Sequence, residues 1–246
     1  MTLAAQDISL TRGANLVLDS VTATFKKGAI TAICGPNGAG KSSLLMVLAG
    51  LLKPAVGHVQ IGADPLLQLP AQARAQKIGY LPQSAEVAWD VAVENLVALG
   101  RLPHRDRGHD AIEAAIAALG LEPLRHRPAS QLSGGERARA LLARVFAGEP
   151  DWILADEPLA ALDLAHQLSL ITHFKAAAQT GQGVVLVLHD LALARNHADH
   201  VLVLREGRLA SCGAPEVALS SEAIANAWGV ETSWIGDERA HALQFK

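Results

Sequence analysis

The 246-residue chain is poor in cysteine, with two, and in aromatics, with four tryptophans, four phenylalanines and one tyrosine. Cys34 and Cys212 are too few for a disulfide framework or a zinc site of cysteine type. Both read as small apolar residues of a reducing compartment, which argues against redox chemistry. Although the mean hydropathy is +0.22, no stretch reaches the roughly 18 consecutive apolar residues that a bilayer span needs. Met1 to Leu10 contains Asp7 and lacks a basic start followed by an apolar core, so no signal peptide is read there. Neither sign of charge dominates, with 21 Lys and Arg against 24 Asp and Glu and a net charge of -3. Nothing therefore draws the chain generally to nucleic acid, and no nucleic-acid partner is expected. What is present is a half-hydrophobic composition at a length that suits one large domain or a domain with a subdomain.

Apolar patterning sets an α/β rhythm. Strands are expected over Leu3 to Leu10, Val21 to Phe25 and Ala29 to Cys34, separated by Gly13, Asn15 and Gly28. Leu44, Leu45, Val47 and Leu48 fall at helical spacing, and Gly50 closes that helix. After short strands at Val59 to Ile61 and Ile78 to Leu81, the pattern turns helical over Ala88 to Ser130, with Arg101 to Asp110 reading as an exposed charged loop. The βα rhythm resumes at Glu136: a helix to Gly148, a strand Trp152 to Ala155, a helix Leu164 to Ala178, and strands Val184 to Leu188 and Val201 to Leu204. Runs as apolar as Val184 to Leu188 suit parallel strands covered on both faces. Gly229 to Lys246 has too little periodicity to be placed.

Three segments carry chemistry. Gly35-Pro36-Asn37-Gly38-Ala39-Gly40-Lys41-Ser42-Ser43 follows a strand and opens a helix, which is the phosphate-binding loop pattern. Its glycines let backbone N–H groups wrap an anion, the lysine reaches the β- and γ-phosphates, and the Ser42 hydroxyl suits Mg²⁺. Trp152 to Ala155 is an apolar strand ending in Asp156 and Glu157. Asp156 is placed to orient Mg²⁺, and Glu157, one residue further on, to polarise an attacking water as general base. Ser133-Gly134-Gly135-Glu136 is a second compact, anion-accepting helix start, and one nucleotide rarely needs two cradles in one chain.

Leu132-Ser133-Gly134-Gly135-Glu136, lying between a phosphate loop and an Asp-Glu strand, resembles the signature of the ATP-binding cassette (ABC) family. The resemblance runs from about Leu3 to Leu209. Gln83 in Tyr80-Leu81-Pro82-Gln83 resembles the family's Q-loop glutamine, which touches Mg²⁺ or the attacking water. Asp163 in Leu159-Ala160-Ala161-Leu162-Asp163 resembles the D-loop aspartate, and His189 in Leu188-His189-Asp190 the switch histidine that contacts the γ-phosphate. Where cassettes stack an aromatic on adenine, the nearest residue here is Arg12, whose guanidinium suits a flat base.

The implied fold is an α/β P-loop NTPase cassette with a mostly parallel core sheet, an antiparallel N-terminal β portion and a helical subdomain. Its parts divide as 1–87, the ATP-binding core with the phosphate loop; 88–135, the helical subdomain ending in the signature; 136–228, the rest of the core; and 229–246, a tail. The resemblance implies an ATPase using ATP and Mg²⁺ that works as a homodimer, with ATP held between the phosphate loop of one copy and Ser133 to Gly135 of the other. It also implies integral-membrane permease subunits, an external substrate-binding protein, and a peripheral place on the cytoplasmic face of the inner membrane. Val97-Ala98-Leu99-Gly100-Arg101-Leu102-Pro103-His104 resembles the cassettes of iron-siderophore, haem and cobalamin importers, so a ferric chelate, haem included, is the expected cargo. The alternatives are a zinc or manganese importer and a soluble cassette of iron-sulfur cluster assembly. His104, His109 and His126 are irregularly spaced beside arginines and read as solvated surface, not as metal ligands.

Overall fold

The computed structural model describes residues 2–83, 90–160, 162–237 and 240–245. Ala161 and the expected boundary between residues 87 and 88 lie outside these. Strands β1 (Thr2–Arg12) and β2 (Asn15–Lys26) form an antiparallel hairpin. They run several residues beyond the expected spans because the hairpin register carries their polar ends into the sheet. β3 (Ile30–Cys34) leads into α1 (Lys41–Leu48). β4 (Val56–Ile61) and β5 (Asp64–Pro65) complete a four-stranded antiparallel sheet in the order β2-β1-β4-β5. α2 (Ala71–Lys77) precedes β6 (Ile78–Leu81).

A helical layer follows: α3 (Val93–Ala98), α4 (His109–Ala118) and α5 (Gly134–Ala147). β7 (Trp152–Asp156), α6 (Leu164–Gln179), β8 (Gly183–Val187), α7 (Leu191–His197), β9 (His200–Arg205) and β10 (Arg208–Gly213) complete the central sheet. Its order is β10-β9-β3-β8-β7-β6, parallel except for the edge strand β10. Short helices α8 (Pro215–Ala218) and α9 (Ser221–Trp228) follow.

The tail with no sequence pattern is an antiparallel hairpin, β11 (Thr232–Gly236) and β12 (His241–Phe245). It is held by remote groups. The Trp234 indole donates to the Leu219 carbonyl at 2.6 Å, Arg195 lies over the Trp234 ring at 4.6 Å, and Asn196 exchanges two hydrogen bonds with the His241 backbone.

The central strands face two apolar layers. Val184 and Leu186 of β8 pack with Ile153 and Ala155 on the side of α3 to α6, while Val185 and Val187 join Leu154 and Trp152 on the side of α1 and the antiparallel sheet. Alternating side chains point to opposite faces of a strand, so two buried faces need an unbroken apolar run, and the chain's hydropathy reflects this. Both faces together place the carboxyl ends of β3, β6, β7 and β8 side by side.

Three expectations are corrected. Residues 99–104 form a 3-10 turn, not an open loop, and Arg101 is buried. Its guanidinium donates to Asp106 at 2.5 Å, Glu149 at 2.7 Å and the Ala147 carbonyl at 3.0 Å. Those acceptors compensate a charge that would otherwise stay in water. Gly100 permits this packing, because a Cβ there would stand 2.0 Å from the Arg144 carbonyl oxygen. His104 is also half-buried, bonded to the Gly148 carbonyl at 2.9 Å, whereas His109 and His126 are exposed. Of the two cysteines read as small apolar residues, Cys34 is buried, with its thiol pushed up to about 12 by that burial, whereas Cys212 is exposed.

Candidate active site: a nucleotide cleft at the sheet's carboxyl edge

Gly35 to Gly40 turn the chain from β3 into α1. Gly35 has φ +148°, and a Cβ on it would meet the Leu204 carbonyl oxygen at 2.2 Å; Gly40, with φ +97°, also passes close to β2. At Gly35 and Gly40 the turn leaves no room for a side chain. The Lys41 ammonium folds back onto it, donating to the Gly35 carbonyl at 2.8 Å and the Pro36 carbonyl at 2.9 Å. Burial lowers the Lys41 pKa, opposed by the charges of Glu157 and Asp156. The lysine is therefore an already desolvated cation aimed at the centre of an anion cradle.

Beside it, the Ser42 hydroxyl donates to Asp156 Oδ1 at 3.0 Å. Burial holds the Asp156 carboxyl above its ordinary range, in part offset by that hydrogen bond. A buried carboxylate next to a hydroxyl is a set of hard oxygen donors whose charge is costly unless a cation faces it, so the pair fits Mg²⁺. Glu157 has φ +49°, unusual for a residue with a side chain. The turn sets its carboxylate between two neighbouring strand ends: Oε2 accepts from Gln83 Nε2 at 2.5 Å, and Oε1 meets His189 Nε2. Gln83 follows β6 and His189 follows β8, so three strands converge on one carboxylate.

These groups line a cleft of about 660 Å³, formed by Val17, residues 37–43, Gln83, Glu157 and His189, within the range of small-ligand sites. Val17, on β2, belongs to none of the sequence motifs, because its role depends only on where the hairpin packs. Arg12 is exposed at the hairpin's end, with its guanidinium 3.9 Å from Met46 Sδ, and does not line the cleft. Ser133, Gly134 and Gly135 also lie outside the lining. Ser133 caps α5 in a reciprocal box: its hydroxyl accepts from the Glu136 N–H at 3.3 Å, and its own N–H donates to the Glu136 carboxylate at 2.8 Å. Asp163 caps α6. One copy of the chain thus places the Gly35 to Ser43 loop at the cleft and, apart from it, a second helix start.

Residues 18–160 match the family model described as ABC transporter. The chain belongs to the ABC transporter family. This ABC cassette is 39% identical to the hemin import ATP-binding protein HmuV of Pseudomonas entomophila, over 93% of each chain, and 40% identical to that of Myxococcus xanthus, over 94% of this chain and 91% of the relative. Among solved structures, a chain from an inward-facing structure assigned to the metal-chelate type of ABC transporter superposes with a TM-score of 0.83 at 27% identity, over 100% of this cassette and 96% of that chain. A dimeric ABC cassette holding ADP and phosphate after hydrolysis superposes with a TM-score of 0.77 at 26% identity, over 87% and 98%. The expected α/β cassette fold and ATPase class hold; Lys41, Ser42, Glu157, Gln83 and His189 line one cleft, with Asp156 bonded to Ser42 beside it. Among the described residues no helix is long and apolar enough to cross a membrane.

Proposed function

We propose that this cassette is the ATP-hydrolysing subunit of a haem importer. It would act as a homodimer on the cytoplasmic face of the inner membrane, with separate permease subunits and an external substrate-binding protein. The observation that carries the cargo is the 39–40% identity, along nearly the whole chain, to proteins named for hemin import. The similarity to the metal-chelate type of transporter supports the same class.

In this reading the amides of residues 35–43 and the Lys41 ammonium bind the phosphates, and the adenine extends beyond the cleft lining to Arg12, beside Met46. Ser42 and Asp156, with Gln83 nearby, hold Mg²⁺, which when bound supplies charge neutralisation on the phosphate oxygens. Glu157 takes the proton of the attacking water, while Gln83 and His189 fix its carboxylate and the water's approach. Ser133 and Gly135 of a second copy close over the nucleotide, with that copy's Asp163 alongside. Their place outside the cleft lining of their own chain supports a partner's nucleotide as the one they serve. Loss of the γ-phosphate then removes what bridges the two copies, a ligand-driven switch that a permease can follow.

The test is uptake of labelled haem, ferric siderophore and cobalamin in a strain lacking this chain. Loss confined to haem, restored by the intact chain, is the expected result. Unchanged haem uptake alongside lost uptake of another cargo would reject the assignment.

A further inference from the structure

The geometry points to His166 as a positioning residue that locks the Asp163 loop and the Ser133 to Gly135 turn of one chain into a single surface, presented to the partner copy's nucleotide. The inference rests on the reading above that Ser133 and Gly135 close over a nucleotide held by a second copy.

His166 stands in the first turn of α6. Asp163 Oδ1 accepts two hydrogen bonds from it, from the backbone N–H at 2.9 Å and from ring Nδ1 at 2.7 Å. With the Nδ1 proton directed at Asp163, the imidazole is fixed in plane and direction, and its far edge lies against Gly135. A Cβ on Gly135 would stand 2.5 Å from His166 Cδ2 and 2.7 Å from Cγ and Nε2, closer than side-chain atoms approach.

Gly135 is not among the residues with positive φ, so its backbone does not itself demand glycine. In a helix, glycine costs about 1 kcal/mol relative to alanine. Here a side chain at position 135 would meet the His166 ring. Gly134, one residue earlier, has nothing within 4 Å of a Cβ, so the constraint belongs to the ring and not to the turn.

The contact joins the starts of two helices, α5 and α6, that pack on the same face of the sheet. α5 belongs to the helical layer, with its start braced by the Ser133–Glu136 box. α6 follows the Glu157 turn of the sheet. A small tilt of the helical layer against the sheet would swing Ser133 and Gly135 away from Asp163, and the ring resists that tilt. Displacement of an aligned group by about 1 Å is enough to cost on the order of a hundredfold in rate, so the brace bears on turnover without touching substrate.

The test uses the full-length chain. In the Glu157→Gln background, gel filtration with light scattering reads ATP-dependent dimer formation, and a fluorescent ATP analogue reads nucleotide affinity. With Glu157 intact, phosphate release reads kcat and KM. His166→Ala is expected to keep ATP affinity within about twofold, to weaken the ATP-held dimer about tenfold, and to lower kcat on the order of tenfold with KM little changed. His166→Phe, which keeps a ring against Gly135 but not the bond to Asp163, is expected to recover at least about half of the lost dimer.

Parent-like dimerisation and turnover in His166→Ala would overturn the inference. So would a parallel loss of ATP affinity and melting temperature, the mark of a merely structural role. An impairment in His166→Phe as deep as that in His166→Ala would overturn it as well. Failure of Glu157→Gln alone to dimerise with ATP would remove the two-copy reading and this inference together, and it shows before His166 is changed.

Discussion

Replacing Glu157 by glutamine separates proton acceptance from shape. In the folded chain one carboxylate oxygen accepts from Gln83 Nε2 at 2.5 Å and the other meets His189 Nε2. A glutamine keeps an oxygen toward Gln83 and turns its amide N–H toward His189 Nε2, an acceptor in one imidazole tautomer. Both contacts survive as neutral hydrogen bonds, weaker than charge-assisted ones by about 1 kcal/mol each. The bonds of Lys41 to Gly35 and Pro36, and of Ser42 to Asp156, do not involve Glu157, so the phosphate cradle stays built. Lys41 loses one of the charges that oppose its desolvation, but it gains the phosphates when ATP binds.

What disappears is the group that takes a proton from water. General-base catalysis contributes roughly 10²- to 10⁴-fold, or about 2.7–5.4 kcal/mol of barrier at 1.36 kcal/mol per decade. A phosphate-release assay should therefore find kcat lowered by two to four decades or so. ATP affinity should stay within about twofold, and an ATP-held dimer should accumulate because its nucleotide is no longer consumed. Turnover within about tenfold of the parent would refute Glu157 as the base. Lost ATP affinity would refute the separation of its network from the cradle.

Asp156→Asn should stabilise the free chain at neutral pH while abolishing Mg²⁺-dependent hydrolysis. Burial raises the Asp156 carboxyl pKa in the folded state, so the folded chain holds that proton more tightly than the unfolded one. Stability contributed by this group is thus present at low pH and is lost as pH rises from the unfolded value, about 3.9, through the raised folded value. Urea unfolding without nucleotide or divalent cation should show the variant's advantage at pH 7 shrinking toward about pH 4; an advantage independent of pH would contradict the cause given. Arg12→Ala should raise the KM for ATP with kcat nearly unchanged, since it removes a binding contact remote from the γ-phosphate. An unaltered KM in steady-state hydrolysis would remove Arg12 from the adenine site.

Much of the site is legible in the chain because phosphate chemistry is met by local backbone. A loop that wraps an anion needs glycines at short spacing before a helix, and Gly35 to Ser43 display them without help from the rest of the molecule. The Asp156-Glu157 pair is legible for a related reason: it ends an apolar strand, and parallel strands deliver their carboxyl ends to one edge; His189, after another such strand, is legible only through the resemblance. The unbroken Val184 to Leu188 run likewise announces a sheet covered on both faces.

Local pattern fails where a residue's state depends on partners far along the chain. Arg101 reads as exposed because charge belongs in water, and it is buried because Asp106, Glu149 and the Ala147 carbonyl surround it. The final hairpin has weak alternation of its own and is held by Arg195, Asn196 and the Leu219 carbonyl.

By itself the amino-acid sequence determined the phosphate loop, the Asp156-Glu157 strand end and the sheet that aligns them, since each rests on short-range backbone geometry or strand periodicity, while His189 entered through the family resemblance. Only the tertiary structure decided that Val17 walls the cleft, that Gln83 and His189 share the Glu157 carboxylate, and that the His166 ring takes the space of a side chain at Gly135. Those relations are distances between separate elements, and packing alone sets them.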